Sequence, residues 1–459
     1  MDHPPVPPTA LPFQHAFDAE TFRANGHRVI DMLADYLDAA SSGTPMPVLP
    51  WLEPQAMVDS WPGDFPEEPT GALHDILQLV VREANHLHHP RYMGHQVPGP
   101  LPAAALCDMV GALLNNGMAV YEMGMSGTAM ECRVIAWMAQ LLGFDSQADG
   151  VLTSGGSIGN LTAFLAMRHA KGADSSDKLP AVLVSDQAHY SVRRAVKIMG
   201  WGDDGAITVP CDAQFKLCVD ALPERLRHAE SLGRRVIGVV GSACTTPTGT
   251  YDPLDAIADF CAANDLWLHV DAAHGAPAAL SETYRPLLRG VERADSVVFD
   301  AHKMLLMPAL VTAVLFRNGD DSYRAFEQRA SYLFVKSPRE EWYNIGHRTI
   351  ECTKRMLSLK VYTALMCYGT RFFADYVTRQ YDLARRFATM LREAPDFELA
   401  AEPEANIVCF RHTPNGAGDL DAAGLFMRTT LINPLTTEEH LVVLLACIRE
   451  EAKRAREEV

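Results

Sequence analysis

Lys303 is the first residue that needs a reason. The run Ser296-Val297-Val298-Phe299-Asp300-Ala301-His302-Lys303 reads as a short buried strand that runs straight into a lysine. A buried ammonium is costly to desolvate. An amine that forms an imine with a carbonyl compound removes that difficulty, and a desolvated lysine is suited to it. His302, beside it, can donate to a phosphate. Three other stretches carry compatible chemistry. In Thr153-Ser154-Gly155-Gly156-Ser157-Ile158-Gly159-Asn160 the glycines let backbone N–H groups approach an anion. Ser157 adds a hydroxyl donor, and a helix predicted from about Leu161 to Ala170 adds positive potential at its start. The GGxxG spacing does not fit the GxGxxG of a dinucleotide fingerprint. Leu266-Trp267-Leu268-His269-Val270-Asp271 reads as a buried strand ending in an acid, and Asp271 can meet a ring nitrogen and keep it protonated. Asp186-Gln187-Ala188-His189 follows the apolar run Ala181–Ser185, and His189 can stack on a flat heteroaromatic ring. Taken singly, each stretch has a structural reading: a tight turn, a helix cap, a strand-end histidine. Their order along one chain, anion loop, histidine, aspartate and then lysine, argues for one site.

A particular architecture must position them. Between about residues 98 and 317 short apolar runs alternate with helical segments. The runs are Ala181–Ser185, Val236–Val240, Leu266–Val270, Ser296–Phe299 and Val311–Phe316. Runs this short, β-branched and bounded by Gly, Asp or Ser, predict buried strands. Helices are predicted at Leu101–Asn115, Gly127–Leu142 and Asp252–Asn264. Strand–helix alternation implies an α/β fold with a mostly parallel sheet covered by helices on both faces. Ligands in such sheets bind beyond the carboxyl ends of the strands, where the residues above are found. Amphipathic helices are predicted upstream at Phe17–Ala40 and Leu73–His86; the first needs a surface to cover, either the main domain or a partner subunit. Downstream the chain is helical from Lys360 through Arg392, with a strand at Asn406–Arg411 and a closing helix at Glu438–Glu451. The expected division is an N-terminal helical segment (1–97), a large domain (98–360) and a small C-terminal α/β domain (361–459).

Composition narrows the class. The chain has 459 residues, 48% apolar and 21% charged, an ordinary globular balance. Its net charge of −17 argues against nucleic acid as a partner but allows a local site for an anionic small molecule. No apolar run approaches a membrane span, and Met1–Pro12 is Pro-rich with no signal-peptide pattern. The ten cysteines include no CxxC pair, which reads as reduced thiols in a reducing compartment, the cytoplasm. His86, His88, His89 and His95 cluster in sequence, but we expect no metal site.

The sequence resembles the group II pyridoxal-phosphate-dependent decarboxylases, the family of glutamate, cysteine-sulfinate and aromatic-L-amino-acid decarboxylases, from about His89 to Ile448. The matching stretches are His89-Pro90-Arg91-Tyr92, the SGGSxGN loop, HVDAAHG at His269–Gly275, ADSVVFDAHK at Ala294–Lys303, SYLF at Ser331–Phe334 and INPLTT at Ile432–Thr437. The resemblance implies fold type I, pyridoxal 5′-phosphate as cofactor, an L-amino acid as substrate and a homodimer. It implies Lys303 as the Schiff-base lysine, Asp271 as partner of the pyridine nitrogen, and His189 stacked on the ring. It places Gly155, Gly156 and Ser157 at the phosphate with His302 nearby, Thr246 close to the cofactor, and Ala273 against the ring. Tyr332 resembles the mobile-loop tyrosine that protonates the substrate carbon, and Arg428 an arginine that holds the substrate carboxylate. The implied reaction is decarboxylation to the amine. The alternatives are oxidative deamination to an aldehyde, which the presence of Tyr332 disfavours, and a non-catalytic relative, which the intact Lys, Asp and His set disfavours. Three features depart from the family pattern. Asp300 stands where many relatives have Asn, and is not assigned to phosphate. Ile158-Gly159 replaces a more polar pair. Gly94–Gly99, with His95 and Val97, fits neither the glutamate nor the aromatic pattern and is expected to line the substrate pocket, while Val120–Met123 leans towards the glutamate-type enzymes.

Overall fold

The computed structural model describes residues 15–43, 45–173, 176–326, 341–413 and 425–457. The chain forms two compact units, Met1–Tyr92 and Met93–Val459. The first holds three helices, α1 (Ala19–Ser41), α2 (Pro54–Asp59) and α3 (Leu73–Glu83). Asp18 caps α1 by accepting the Thr21 N–H at 2.7 Å. Phe22, Ile30 and Leu33 on α1, with Leu73, Ile76 and Val80 on α3, are apolar and exposed.

The second unit opens with α4 (Pro102–Leu114) and α5 (Met125–Leu141), then alternates. Strand β1 (Asp149–Thr153) leads into α6 (Gly156–Ala170), β2 (Pro180–Ser185) into α7 (Tyr190–Ile198), and β3 (Ala206–Val209) into α8 (Leu222–Ser231). Then come β4 (Arg235–Ser242), α9 (Leu254–Ala263), β5 (Trp267–Asp271), β6 (Ser296–Asp300) and β7 (Thr312–Phe316). These seven strands form one sheet in the order β1-β7-β6-β5-β4-β2-β3. The β3–β2–β4–β5–β6 neighbours are parallel, and β7 lies antiparallel between β6 and β1. The sheet is therefore mostly parallel, as the alternation predicts.

Both faces are buried, which explains why the strands read as unbroken apolar runs. Along β5 and β6, Leu268, Val270, Val297 and Phe299 enter one core with α5, α8 and α9. Trp267 and Val298 enter the other, with Phe164 of α6 and Val192 of α7. After the short helix α10 (Asp320–Arg324), helix α11 (Ser358–Glu393) bends at Gly369, whose φ of 72° lies outside the helical region. Its early residues Val361 and Phe373 pack in the first core. Its later residues Ala384, Phe387 and Leu391 pack with a second sheet of β8 (Phe397–Leu399), β9 (Ile407–His412) and β10 (Met427–Thr430), and with α12 (Glu438–Glu457). The two helical segments that meet at this kink thus serve the first core and the C-terminal one, and the C-terminal sheet belongs to the same compact unit.

A buried ion pair anchors β1. Glu131 of α5 accepts the Leu152 N–H at 2.9 Å and pairs with Lys354 Nζ at 2.6 Å; Lys354 also donates to the Leu152 carbonyl. The two side chains are 3% and 2% exposed. Removing one member of such a pair leaves an uncompensated buried charge. Lys354→Met should therefore destabilise the fold by about 3–5 kcal/mol. Denaturant melts check it, and a loss below about 1 kcal/mol would show that Glu131 is relieved in another way.

Candidate active site

The topology brings the chemistry to one edge. The parallel order makes β2, β4, β5 and β6 end on the same side of the sheet. Two antiparallel steps through β7 make β1 end there too. The loop 154–157, His189, Thr246, Asp271 and Lys303 all follow these strand ends. This edge is where a ligand binds in such a sheet.

Lys303 sits two residues past Ala301 on the turn after β6. Its Nζ lies 2.9 Å from Asp300 Oδ2. Asp300 is buried and also accepts the Thr312 hydroxyl at 2.5 Å, with His302 Nε2 at 3.6 Å. His302 Nδ1 is tied back to the backbone of Val311. Burial lowers the Lys303 pKa, but Asp300 and then Asp271 raise it by more, so it stands above the usual lysine value. Burial raises the Asp300 pKa, but Lys303, His302 and Thr312 pull it below the usual carboxylate value. The Asp300 contribution to stability is present above the ordinary pKa of about 4 and lost as pH falls through its lower folded value. The Lys303 contribution is present below about 10.4 and lost as pH rises through its raised folded value. Between these limits the amine is held as an ammonium. Asp300→Asn removes the partner and leaves the burial, so Lys303 should become reactive towards an aldehyde at lower pH. Borohydride trapping across a pH series measures this; an unmoved midpoint would show that Asp300 does not hold the proton.

The loop after β1 leaves backbone donors open at a helix start. Gly155 has φ +115°, a conformation few residues other than glycine adopt. No side chain caps the start of α6, so its first N–H groups, with the Ser157 hydroxyl, are available to an anion. A Cβ on Gly156 would lie 3.3 Å from both Asp300 carboxylate oxygens, so the cradle and the Lys303–Asp300 pair are adjacent. Next along the edge, Asp271 Oδ1 accepts the Ala273 N–H at 3.2 Å and Oδ2 accepts from Asn160 Nδ2 at 2.9 Å. His189 caps α7, its Nδ1 accepting the Ser191 N–H. Arg428 on β10 donates to the Thr246 carbonyl at 2.8 Å, which brings the C-terminal sheet to the same place.

His95 and Val97 lie exposed on the segment before α4, unlike the buried cluster around Lys303. Tyr332 lies outside the described residues. Asn160, Ser191 and Thr312 were not singled out from sequence. Asn160 closes the glycine loop one turn into α6, and Ser191 follows His189 in a helix-cap spacing; those were the available signals. The open role of Asp300 is explained by the cation it faces.

A mostly parallel sheet with a lysine, an aspartate, a histidine and an uncapped helix start at its carboxyl edge defines an enzyme of the fold type I, pyridoxal-phosphate class. The model of the pyridoxal-dependent decarboxylase conserved domain matches residues 54–413, and the chain belongs to that family. Curated relatives include the aromatic-L-amino-acid decarboxylase of Bacillus atrophaeus, 28% identical over 95% of this chain and 96% of that protein. The L-2,4-diaminobutyrate decarboxylase of Rhizobium meliloti is 31% identical over 90% of this chain and 83% of that protein. Among solved structures, mouse CSAD in apo form is 25% identical with a TM-score of 0.85, covering 94% of this chain and 98% of that one. Oryza sativa TDC with PLP and tryptamine shares the fold, with a TM-score of 0.86 at 22% identity. The protein is a pyridoxal-phosphate-dependent amino-acid decarboxylase. The residues present fit the cofactor: an amine, an acid held by two N–H donors and a glycine cradle at a helix start lie at neighbouring strand ends.

Proposed function

We propose that Lys303 is the amine that anchors the cofactor for decarboxylation of an L-amino acid to its amine and carbon dioxide. The observation that carries this is the Lys303–Asp300 pair beside the glycine cradle, with Asp271 on the adjacent strand. Pyridoxal phosphate, when bound, supplies the sink for the electron pair released as the carboxyl bond breaks. The chain's residues supply the rest. Gly155, Gly156 and Ser157 hold the phosphate at the start of α6, with His302 nearby. Asp271 holds the ring nitrogen's proton, while His189 and Ala273 pack against the ring. Thr246 lies close to the cofactor, and Arg428, fixed on the Thr246 carbonyl, holds the substrate carboxylate. His95 and Val97 contribute to the substrate pocket. Tyr332 is assigned the proton delivered to the substrate carbon on the resemblance alone. Incubating the enzyme with a mixture of amino acids and identifying the amine formed tests the reaction and names the substrate; release of carbon dioxide without an amine would overturn it.

We also infer a homodimer. The apolar faces of α1 and α3, and separately Leu106, Met109, Val110 and Leu113 on α4, are exposed, and soluble monomers rarely leave large apolar patches open. A cytoplasmic location is supported by ten unpaired cysteines. Among the described residues no helix is long and apolar enough to cross a membrane.

A further inference from the structure

A chain of hydrogen bonds, buried at Asn160 and half-buried at its His189 end, joins Asp271 to His189, and no role given above uses it. Its centre is Asn160, 1% exposed. Asn160 Nδ2 lies 2.9 Å from Asp271 Oδ2 and 2.8 Å from Ser191 Oγ. Asn160 Oδ1 lies 2.9 Å from His269 Nε2. His269 Nδ1 lies 2.8 Å from Ser296 Oγ, and Trp267 Nε1 lies 2.9 Å from the same oxygen. At the other end Ser191 Oγ lies 2.7 Å from His189 Nδ1, which the Ser191 backbone nitrogen approaches at 3.3 Å.

Counting donors sets the direction of every bond. A carboxylate only accepts, so the Asn160 amide nitrogen must face Asp271. The amide oxygen then faces His269, whose Nε2 must carry a hydrogen. His269 Nδ1 is left as an acceptor for the Ser296 hydroxyl, and Ser296 in turn accepts from Trp267, which can only donate. The second amide hydrogen of Asn160 goes to Ser191 Oγ. The Ser191 hydroxyl hydrogen is therefore free for His189 Nδ1. That nitrogen also accepts the Ser191 backbone N–H, so it holds a lone pair.

We infer that Asn160 is a positioning residue with two outputs from one amide: it orients the Asp271 carboxylate and, through Ser191, places the hydrogen of His189 on Nε2. This rests on the reading of His189 and Asp271 as partners of the cofactor ring. It gives His189 a donor at Nε2, suited to an oxyanion rather than to taking a proton. The charged groups acting on His189 are Asp271, Lys303, Asp300 and Arg194, and burial, the largest influence, lowers its pKa and favours the neutral ring.

The test reads the tautomer directly in apoprotein labelled with ¹⁵N-histidine, with His189→Gln identifying the resonance. The wild type is expected to carry the hydrogen on Nε2. Asn160→Asp keeps the size but puts an acceptor in front of Ser191, so the Ser191 hydroxyl should turn round and the His189 hydrogen should move to Nδ1, at the expense of the longer 3.3 Å contact from the Ser191 backbone N–H. It also removes a donor from Asp271, so binding of pyridoxal phosphate to the apoprotein should weaken about tenfold or more. Ser191→Ala should move the His189 signal from the wild-type pattern while leaving that affinity within about twofold, because the Asp271 arm is intact. A wild-type hydrogen on Nδ1, or an unmoved tautomer in folded Asn160→Asp, overturns the inference. If Asn160→Asp does not fold, an unmoved signal in Ser191→Ala does so. Failure of the underlying site reading shows separately, as wild-type holoenzyme that borohydride does not trap at Lys303.

Discussion

Lys303→Ala is expected to abolish amine formation while the chain still folds. The variant loses the only atom through which Lys303 can form an imine, and two other buried lysines, Lys354 and Lys360, are each committed to a carboxylate. It also strips the cation from Asp300, which is buried and, among the described residues, keeps Thr312 and His302 as side-chain partners. An uncompensated buried charge of this kind costs about 3–5 kcal/mol, so activity and stability must be read together. Lys303→Arg separates them, because it keeps a cation near Asp300 and cannot form the imine. Both variants should be inactive by chromatographic detection of the amine, and only Lys303→Ala should melt markedly lower. Turnover within about tenfold of wild type in either folded variant would sink the assignment.

Tyr332→Phe should change the product as well as the rate. After the carboxyl group leaves, the substrate carbon must gain a proton, and phenylalanine has none to give. Loss of a positioned acid costs about 10²–10⁴ in rate. The electron pair can then pass to molecular oxygen, which takes two electrons and two protons to become peroxide. The oxidised substrate hydrolyses to an aldehyde and ammonia. Amine should fall, and aldehyde, ammonia and peroxide should appear in equal amounts. Wild-type amine yield from Tyr332→Phe would remove Tyr332 from the chemistry.

Most of the sheet was legible because its strands are buried on both faces. β2, β4, β5, β6 and β7 each coincide with an apolar run, to within two residues at either end. β1 and β3 escaped for a physical reason. β1 is an edge strand of five residues that begins Asp149-Gly150, and Gly150 is required because a Cβ there would lie 2.3 Å from the Val314 carbonyl oxygen. β3 has only four residues, one of them exposed. Helix α6 starts at Gly156, inside the glycine loop, earlier than the Leu161 expected from propensity, because the loop's own backbone makes the first turn. Lys303, Asp271 and His189, the candidate residues at the strand ends, stood out in the sequence by residue type. Asn160, Ser191 and Thr312 were not, since a polar side chain in a helix or strand announces no partner until the fold supplies one. The Lys303–Asp300 pair was half legible: the carboxylate stood out, but its cation could be named only from the geometry.

The edge position of β1 has a consequence for how the chain is made. Among the described residues its only partner in the sheet is β7, and Thr153 and Thr312, which face each other across that pairing, are 159 residues apart. At a synthesis rate of about 5–20 residues per second, β1 waits on the order of 10–30 s before its neighbour exists. The glycine cradle that follows β1 therefore takes its final place after the rest of the sheet has emerged, and the apoprotein becomes competent to receive its cofactor late in translation.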